Sequence, residues 1–340
     1  MIERSTPYPK LQSFRQQSVS SVLGRFWFFL LLIGGAGCGA LTLDSRELAR
    51  AGGGDDGPRV LPVFQDDSAF ELLEEPIPGE WRAGPGRSER PQSFPRYVEE
   101  DPVRSSSDRH RIVLQLLGDF EKSDRALLES IRAFVSCSFA CRVDLAESLP
   151  LPQSNRRSRI WNRGGFQKSW VQHHTKTIMH EVLEPNLPED AICCLGITQE
   201  DLYPDPQWEY VFGQAYLHRR VGVYSLARYF GKFWMMSETQ STRRRAHRRA
   251  MKVIGHEVGH MFSLAHCAYY RCIMNGSNSL EESDRLPLWF CPVCASKLVW
   301  NRGIDPRERY LGLERFFRDQ GFEFEADWFA RRVSDFKGPN

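Results

Sequence analysis

The sequence predicts an α/β fold with a sheet of about five strands, one long central helix and a helical C-terminal part. Three observations carry that expectation. RIVLQLLGDF from Arg111, SDRALLESIRAFVSCSF from Ser123 and CRVDLAE from Cys141 read in turn as strand, helix and strand. AICCLGIT, from Ala191 to Thr198, is apolar over a strand's length, as a strand covered on both faces must be. A long helical stretch begins near Thr242, and from Pro292 onward further helical segments are punctuated by turns at Gly303 and Gly321.

In the first helix Leu127, Leu128, Ile131, Phe134 and Val135 share one face, with Ser123 placed to cap it. Its flanking strands are expected to be parallel, joined by a right-handed crossover. The basic, Pro-containing stretch from Leu149 to Gly165 reads as a surface loop, and Phe166 to Leu183 as a helix. After AICCLGIT, the runs WEYVFGQAYL and VGVYSLARY are aromatic, β-branched and alternating, as in strands near a sheet edge; His218 to Arg220 separate them.

At 340 residues the chain could hold one or two domains. Lys+Arg 45 against Asp+Glu 43 gives a net charge of +2, so no global field draws it toward nucleic acid or acidic lipid. RRRAHRR, Arg243 to Arg249, lacks interleaved aromatics and reads as the solvated face of a helix, so no nucleic-acid partner is expected. Residues 1–45 contain RFWFFLLLIGGAGCGALTL behind a basic flank, the pattern of a signal peptide, of a lipid anchor at Cys38 or of a membrane anchor. That predicts an exported or membrane-anchored protein, or a cytoplasmic one if the start is misassigned. Residues 46–109, rich in Gly, Pro, Ser and charge, read as a flexible low-complexity linker with one short docked piece around Val60 to Leu73. Residues 110–340 form the folded domain.

The chemistry is concentrated in HEVGHMFSLAHC, His256 to Cys267. His256 and His260 are four apart and stack on one helical face, where both can present a ring nitrogen to one metal. Glu257, beside the first ligand, is placed as a general base rather than a ligand. A third histidine, His266, can reach the same metal only if the chain turns sharply near residue 263. Three neutral imidazoles leave a zinc ion an open position, and a water there activated for peptide hydrolysis is the chemistry this pattern points to. Among nine cysteines, Cys267, Cys272, Cys291 and Cys294 form two close pairs with the arithmetic of a closed zinc site, whereas Cys193 and Cys194 read as buried small hydrophobes.

Together HEVGHMFSLAHC, CAYYRCIM and CPVC resemble the archaemetzincin family of zinc metalloproteases, and LGITQEDLYP, WEYVFGQA and VGVYSLARY extend the resemblance over roughly residues 110 to 315. The resemblance implies a compact metzincin-like domain with a mixed sheet and two zinc ions per chain. It implies that His256, His260 and His266 hold the catalytic zinc, that Glu257 is the general base, and that Met274 lies in a turn beneath the metal. Cys267, Cys272, Cys291 and Cys294 would hold the structural zinc, and the strand through Phe212 to Tyr216 would be the edge on which an extended substrate adds. One residue departs from the pattern: Ser263 stands where the metzincin turn has Gly, at a cost of roughly 1 kcal/mol if φ is positive. The expected activity is that of a monomeric zinc metallopeptidase on peptide or protein substrates. The alternative is a catalytically inactive, zinc-stabilised peptide-binding module.

Overall fold

A computed structural model describes residues 64–163 and 166–336 of the chain. The signal or anchor expected in residues 1–45 lies outside the described residues. Among the described residues no helix is long and apolar enough to cross a membrane.

From Phe64 the short docked piece expected around Val60 to Leu73 is packed against the domain, and so is the stretch beyond it that reads in sequence as a flexible linker. A few widely spaced aromatics do this. Phe64 and Phe94 are each 1% exposed and Tyr97 is fully buried. Phe70 meets Trp328 edge-on at 5.5 Å, and the Tyr97 hydroxyl donates to the Phe262 carbonyl at 2.8 Å. Helix α1, Phe94–Glu99, starts at Ser93, whose hydroxyl accepts the Arg96 N–H, with Pro95 in its first turn. Averaged over its polar neighbours such a segment looks unable to fold, but each anchor buries its own area in a groove supplied by the domain.

Strand β1, Arg111–Leu117, is followed by helix α2, Arg125–Phe139, and strand β2, Arg142–Leu149, which runs parallel to β1 as expected. The cap differs from expectation. Ser123 bonds only to Glu121, and it is the Asp124 carboxylate that accepts the Glu121 N–H at 2.7 Å ahead of the helix.

The stretch from Leu149 to Gly165, read as a loop, contains strand β3, Arg156–Arg163, and the stretch read as a helix opens with strand β4, Phe166–His174. They pair antiparallel, Arg159 opposite Trp170 and Trp161 opposite Lys168. Only after them does the chain become helical, in α3, Thr175–Ile178, extended by a wider turn over Met179–Leu183.

Strand β5, Ala191–Thr198, is buried at every position, as its composition requires. It lies beside β1, and beyond it follow β8, Val221–Ser225, and the three-residue β7, Gly213–Ala215. The five-stranded order is β2-β1-β5-β8-β7, parallel except for β7, which makes the sheet mixed and leaves β7 at its edge. A second sheet of order β3-β4-β6 uses β6, Asp201–Tyr203. The buried Asp201 carboxylate gathers Arg228, Trp170 and Gln172 at 2.7–2.9 Å, so the small sheet is fixed to the segment after β8 and the 204–212 loop is held over the site.

After the short helix α4, Gly231–Trp234, the long helix α5, Gln240–Met261, crosses the sheet. Thr239 and Thr242 cap it reciprocally through side chain and backbone. Arg243, Arg244 and Arg245 at its opening are exposed, as a solvated face requires, but Arg249 in the same run is 5% exposed and ion-paired with Asp284, and Ala250, Met251, Ile254, Val258 and Met261 are fully buried. Helices α6, Leu280–Asp284, α7, Pro292–Arg302, α8, Pro306–Asp319, and α9, Glu323–Asp335, complete the C-terminal part, with Gly303 and Gly321 at positive φ in the expected turns.

Candidate active site

The last turn of α5 and the loop after it bring His256, His260 and His266 together, one ring nitrogen of each within 4.8 Å of the others. The helix supplies the first two by their spacing. The third is recovered because α5 ends in a Schellman motif: the Leu264 N–H donates to the Gly259 carbonyl at 3.1 Å and the Ser263 N–H to His260 at 2.8 Å. Ser263 sits at φ 65, the left-handed conformation the motif demands. Its hydroxyl donates to the Leu217 carbonyl at 2.6 Å and accepts the Val103 N–H at 3.1 Å, two bonds glycine could not make.

Each ring is oriented by its other nitrogen. Nδ1 of His256 meets the Ile273 carbonyl at 2.9 Å, and Nδ1 of His260 meets the Leu264 carbonyl at 2.7 Å. A carbonyl only accepts, so both Nδ1 atoms carry the proton and both Nε2 atoms carry a lone pair. These two Nε2 atoms lie 2.9 Å apart. With no proton to share, two lone pairs at that distance repel unless a cation lies between them and His266. Burial, with the neighbouring rings, pushes His256 down to about 3 and His260 well below its ordinary value, so both are neutral donors. The donor set fits zinc.

Glu257, one residue after the first histidine, is 5% exposed, and burial pushes its carboxyl up to about 8. It faces a cavity of about 360 Å³ together with the histidines, Phe212, Gly213, Gln214 and Ala215 of the sheet edge, and Trp81 and Trp208. Met274, expected beneath the metal, is fully buried with its sulfur against Gly259, where an added β-carbon would stand 2.4 Å away. Only a glycine between His256 and His260 lets it approach.

The four cysteines also converge. Cys267, Cys272, Cys291 and Cys294 are buried, free of disulfides and within 4.8 Å of one another at sulfur, Cys267 and Cys291 being 3.5 Å apart. Backbone N–H groups of Met274 and Cys291 point at the Cys272 sulfur at 3.4 and 3.2 Å, and Cys291 and Cys294 sit at the N-terminus of α7, where anionic sulfur is favoured. Asn275 closes the loop by donating to the Cys267 and Tyr270 carbonyls while accepting the Cys272 N–H. A closed tetrathiolate zinc site matches this set.

Sequence reasoning missed Glu89. Its carboxylate meets His266 Nδ1 at 2.8 and 2.9 Å, with the Trp81 indole N–H at 3.2 Å. It lies in a charged Gly/Pro-rich run with no local pattern to mark it.

A model of peptidase family M54 matches residues 166–299. Archaemetzincin-2 of Macaca fascicularis is 34% identical over 271 residues, covering 72% of this chain and 73% of that protein. Archaemetzincin-2 of Rattus norvegicus is 39% identical over 260 residues, covering 68% and 71%. The crystal structure of an archaemetzincin from Methanopyrus kandleri is similar with a TM-score of 0.44 and 25% identity, over 57% of this chain and 96% of that one. By its motifs and these relatives, the chain belongs to the archaemetzincin family of zinc metallopeptidases.

Proposed function

We propose that the protein hydrolyses peptide bonds at the three-histidine centre, with Glu257 as general base, and that the four-cysteine centre holds a second, structural zinc. The observation that carries this reading is the pair of facing Nε2 atoms of His256 and His260, each deprotonated by the bond its Nδ1 makes. These nitrogens and His266 would hold the zinc, which would supply Lewis acidity toward a peptide carbonyl and toward water. Glu257 takes up the proton of the attacking water on its carboxylate and delivers it to the leaving amine. Its place inside the cavity wall keeps bulk water from competing for that proton. The substrate binds extended, adding to the free edge of β7, whose Gly213–Ala215 backbone borders the cavity. Residues 1–45 serve as signal or anchor and carry the domain outside the cytoplasm.

The experiment is zinc per chain and peptide turnover in the native protein, His266→Ala and Glu257→Gln. Two zincs falling to one in His266→Ala, with turnover lost but both zincs kept in Glu257→Gln, is the expected result. Removing a general base costs about 10²–10⁴-fold. Turnover retained in Glu257→Gln would rule out this mechanism, and no turnover in any form would leave the peptide-binding module as the function.

A further inference from the structure

His256 and His260 owe their placement to one helix, and backbone carbonyls orient their rings. His266 has neither support. It stands beyond the helix end, and its Nδ1 partner is the Glu89 carboxylate, 177 residues earlier in the chain. Glu89 is itself held: Trp81 donates its indole N–H to the same carboxylate and sets its ring edge-on to His266, centroids 5.1 Å apart. Trp81 is pinned in turn, its backbone N–H on the Glu282 carboxylate at 2.9 Å and its indole so close to Gly276 that an added β-carbon there would be 2.3 Å away. The residues just before His266 are clamped by the same segment. Gln92 donates to the Ser263 carbonyl at 3.1 Å and accepts the Ala265 N–H at 3.0 Å, and Val103 donates to the Ser263 hydroxyl.

We infer that the segment from Trp81 to Val103 is a working part of the metal centre, and that Glu89 is a positioning residue that orients His266 for zinc. This rests on the metal reading given above. A carboxylate on the far nitrogen fixes the tautomer with Nε2 free and makes the ring a stronger donor than a carbonyl partner would. Glu89 lies outside residues 166–299, the span matched by the peptidase family model.

The test uses the full chain loaded with zinc, and separately with cobalt(II), for the native protein, Glu89→Ala and the equally sized Glu89→Gln. Competition with a chelator is expected to show affinity at the histidine centre weakened about 10–100-fold in Glu89→Ala, while the cysteine centre keeps its ion and so serves as an internal control of folding. In the cobalt form the d–d bands of the histidine centre shift in Glu89→Gln, while the thiolate charge-transfer bands stay in place. If Glu89→Ala loses both metals by misfolding, Glu89→Gln decides. Unchanged affinity and unchanged bands in Glu89→Gln overturn the inference alone; a native chain that takes no zinc on its histidines overturns the function reading and this inference with it.

Discussion

Glu257 lies directly against Gly213: a β-carbon built on that glycine would meet Oε1 at 2.6 Å and Cγ at 2.8 Å. The sheet edge and the Glu257 carboxylate therefore occupy one shared space, and neither can gain an atom without moving the other. Gly213→Ala is expected to keep both zincs and lower turnover about 100-fold, the scale of a catalytic group displaced by about an ångström. Native turnover in that variant, measured on an unstructured peptide, would show that the edge yields instead.

Ser263 opposes two effects of similar size. Its left-handed φ costs about 1 kcal/mol, while its hydroxyl bonds to Leu217 and Val103 contribute about 1 kcal/mol each. Ser263→Gly relieves the strain and loses both bonds, so a net loss of about 1 kcal/mol in urea denaturation is expected. Ser263→Ala keeps the strain and loses the bonds, so it should cost about 2 kcal/mol. A glycine variant more stable than the native chain would mean that the two hydroxyl bonds together contribute less than the left-handed φ costs.

The packed N-terminal segment makes a prediction that a flexible linker would not. Phe94 is 1% exposed and meets Trp300 edge-on at 6.3 Å. Phe94→Ala should therefore cost about 3–5 kcal/mol, as for any buried phenylalanine. A denaturation midpoint equal to the native value would return the segment to the status of a tether.

His247 supplies a pH dependence remote from either metal centre. Its Nε2 lies 2.8 Å from Ser130, whose hydroxyl donates to Gln320, and burial pushes the ring from 6.5 to about 4. The folded value is below the unfolded one, so the unfolded chain takes up the proton first as pH falls. The stabilisation is intact above about 6.5 and is lost as pH falls toward 4, at most about 3 kcal/mol. Denaturation of the native chain and His247→Gln at pH 7 and pH 4.5 should show the gap between them shrinking at the lower pH. Parallel profiles would assign the acid sensitivity to other groups.

What could be read in the sequence was what is local. The helix carrying His256, Glu257 and His260 shows itself by spacing, the two cysteine pairs by arithmetic, and β5 by its unbroken apolar run. Strands β3 and β4 escaped because Arg156, Arg157 and Arg159 obscure the alternation. Their charges are absorbed only in three dimensions, Arg157 by the carbonyls of Pro206, Trp208 and Glu209 and Arg159 by the Glu209 carboxylate. Glu89 escaped for a related reason: its partner is 177 residues away, and no periodicity links a carboxylate to a ring at that distance.

The adjacency of His266 and Cys267 would couple metal binding at the two clusters. One peptide bond separates an imidazole that lines the cavity from a thiol inside the buried four-cysteine cluster. An ion in the cage fixes the backbone at Cys267 and so removes conformational entropy that the histidine centre would otherwise have to remove. Ions at both centres would then bind cooperatively, and by thermodynamic reciprocity each would raise the affinity for the other by the same factor. Emptying the cage would then lower the affinity of the histidine centre to its uncoupled value without touching a histidine.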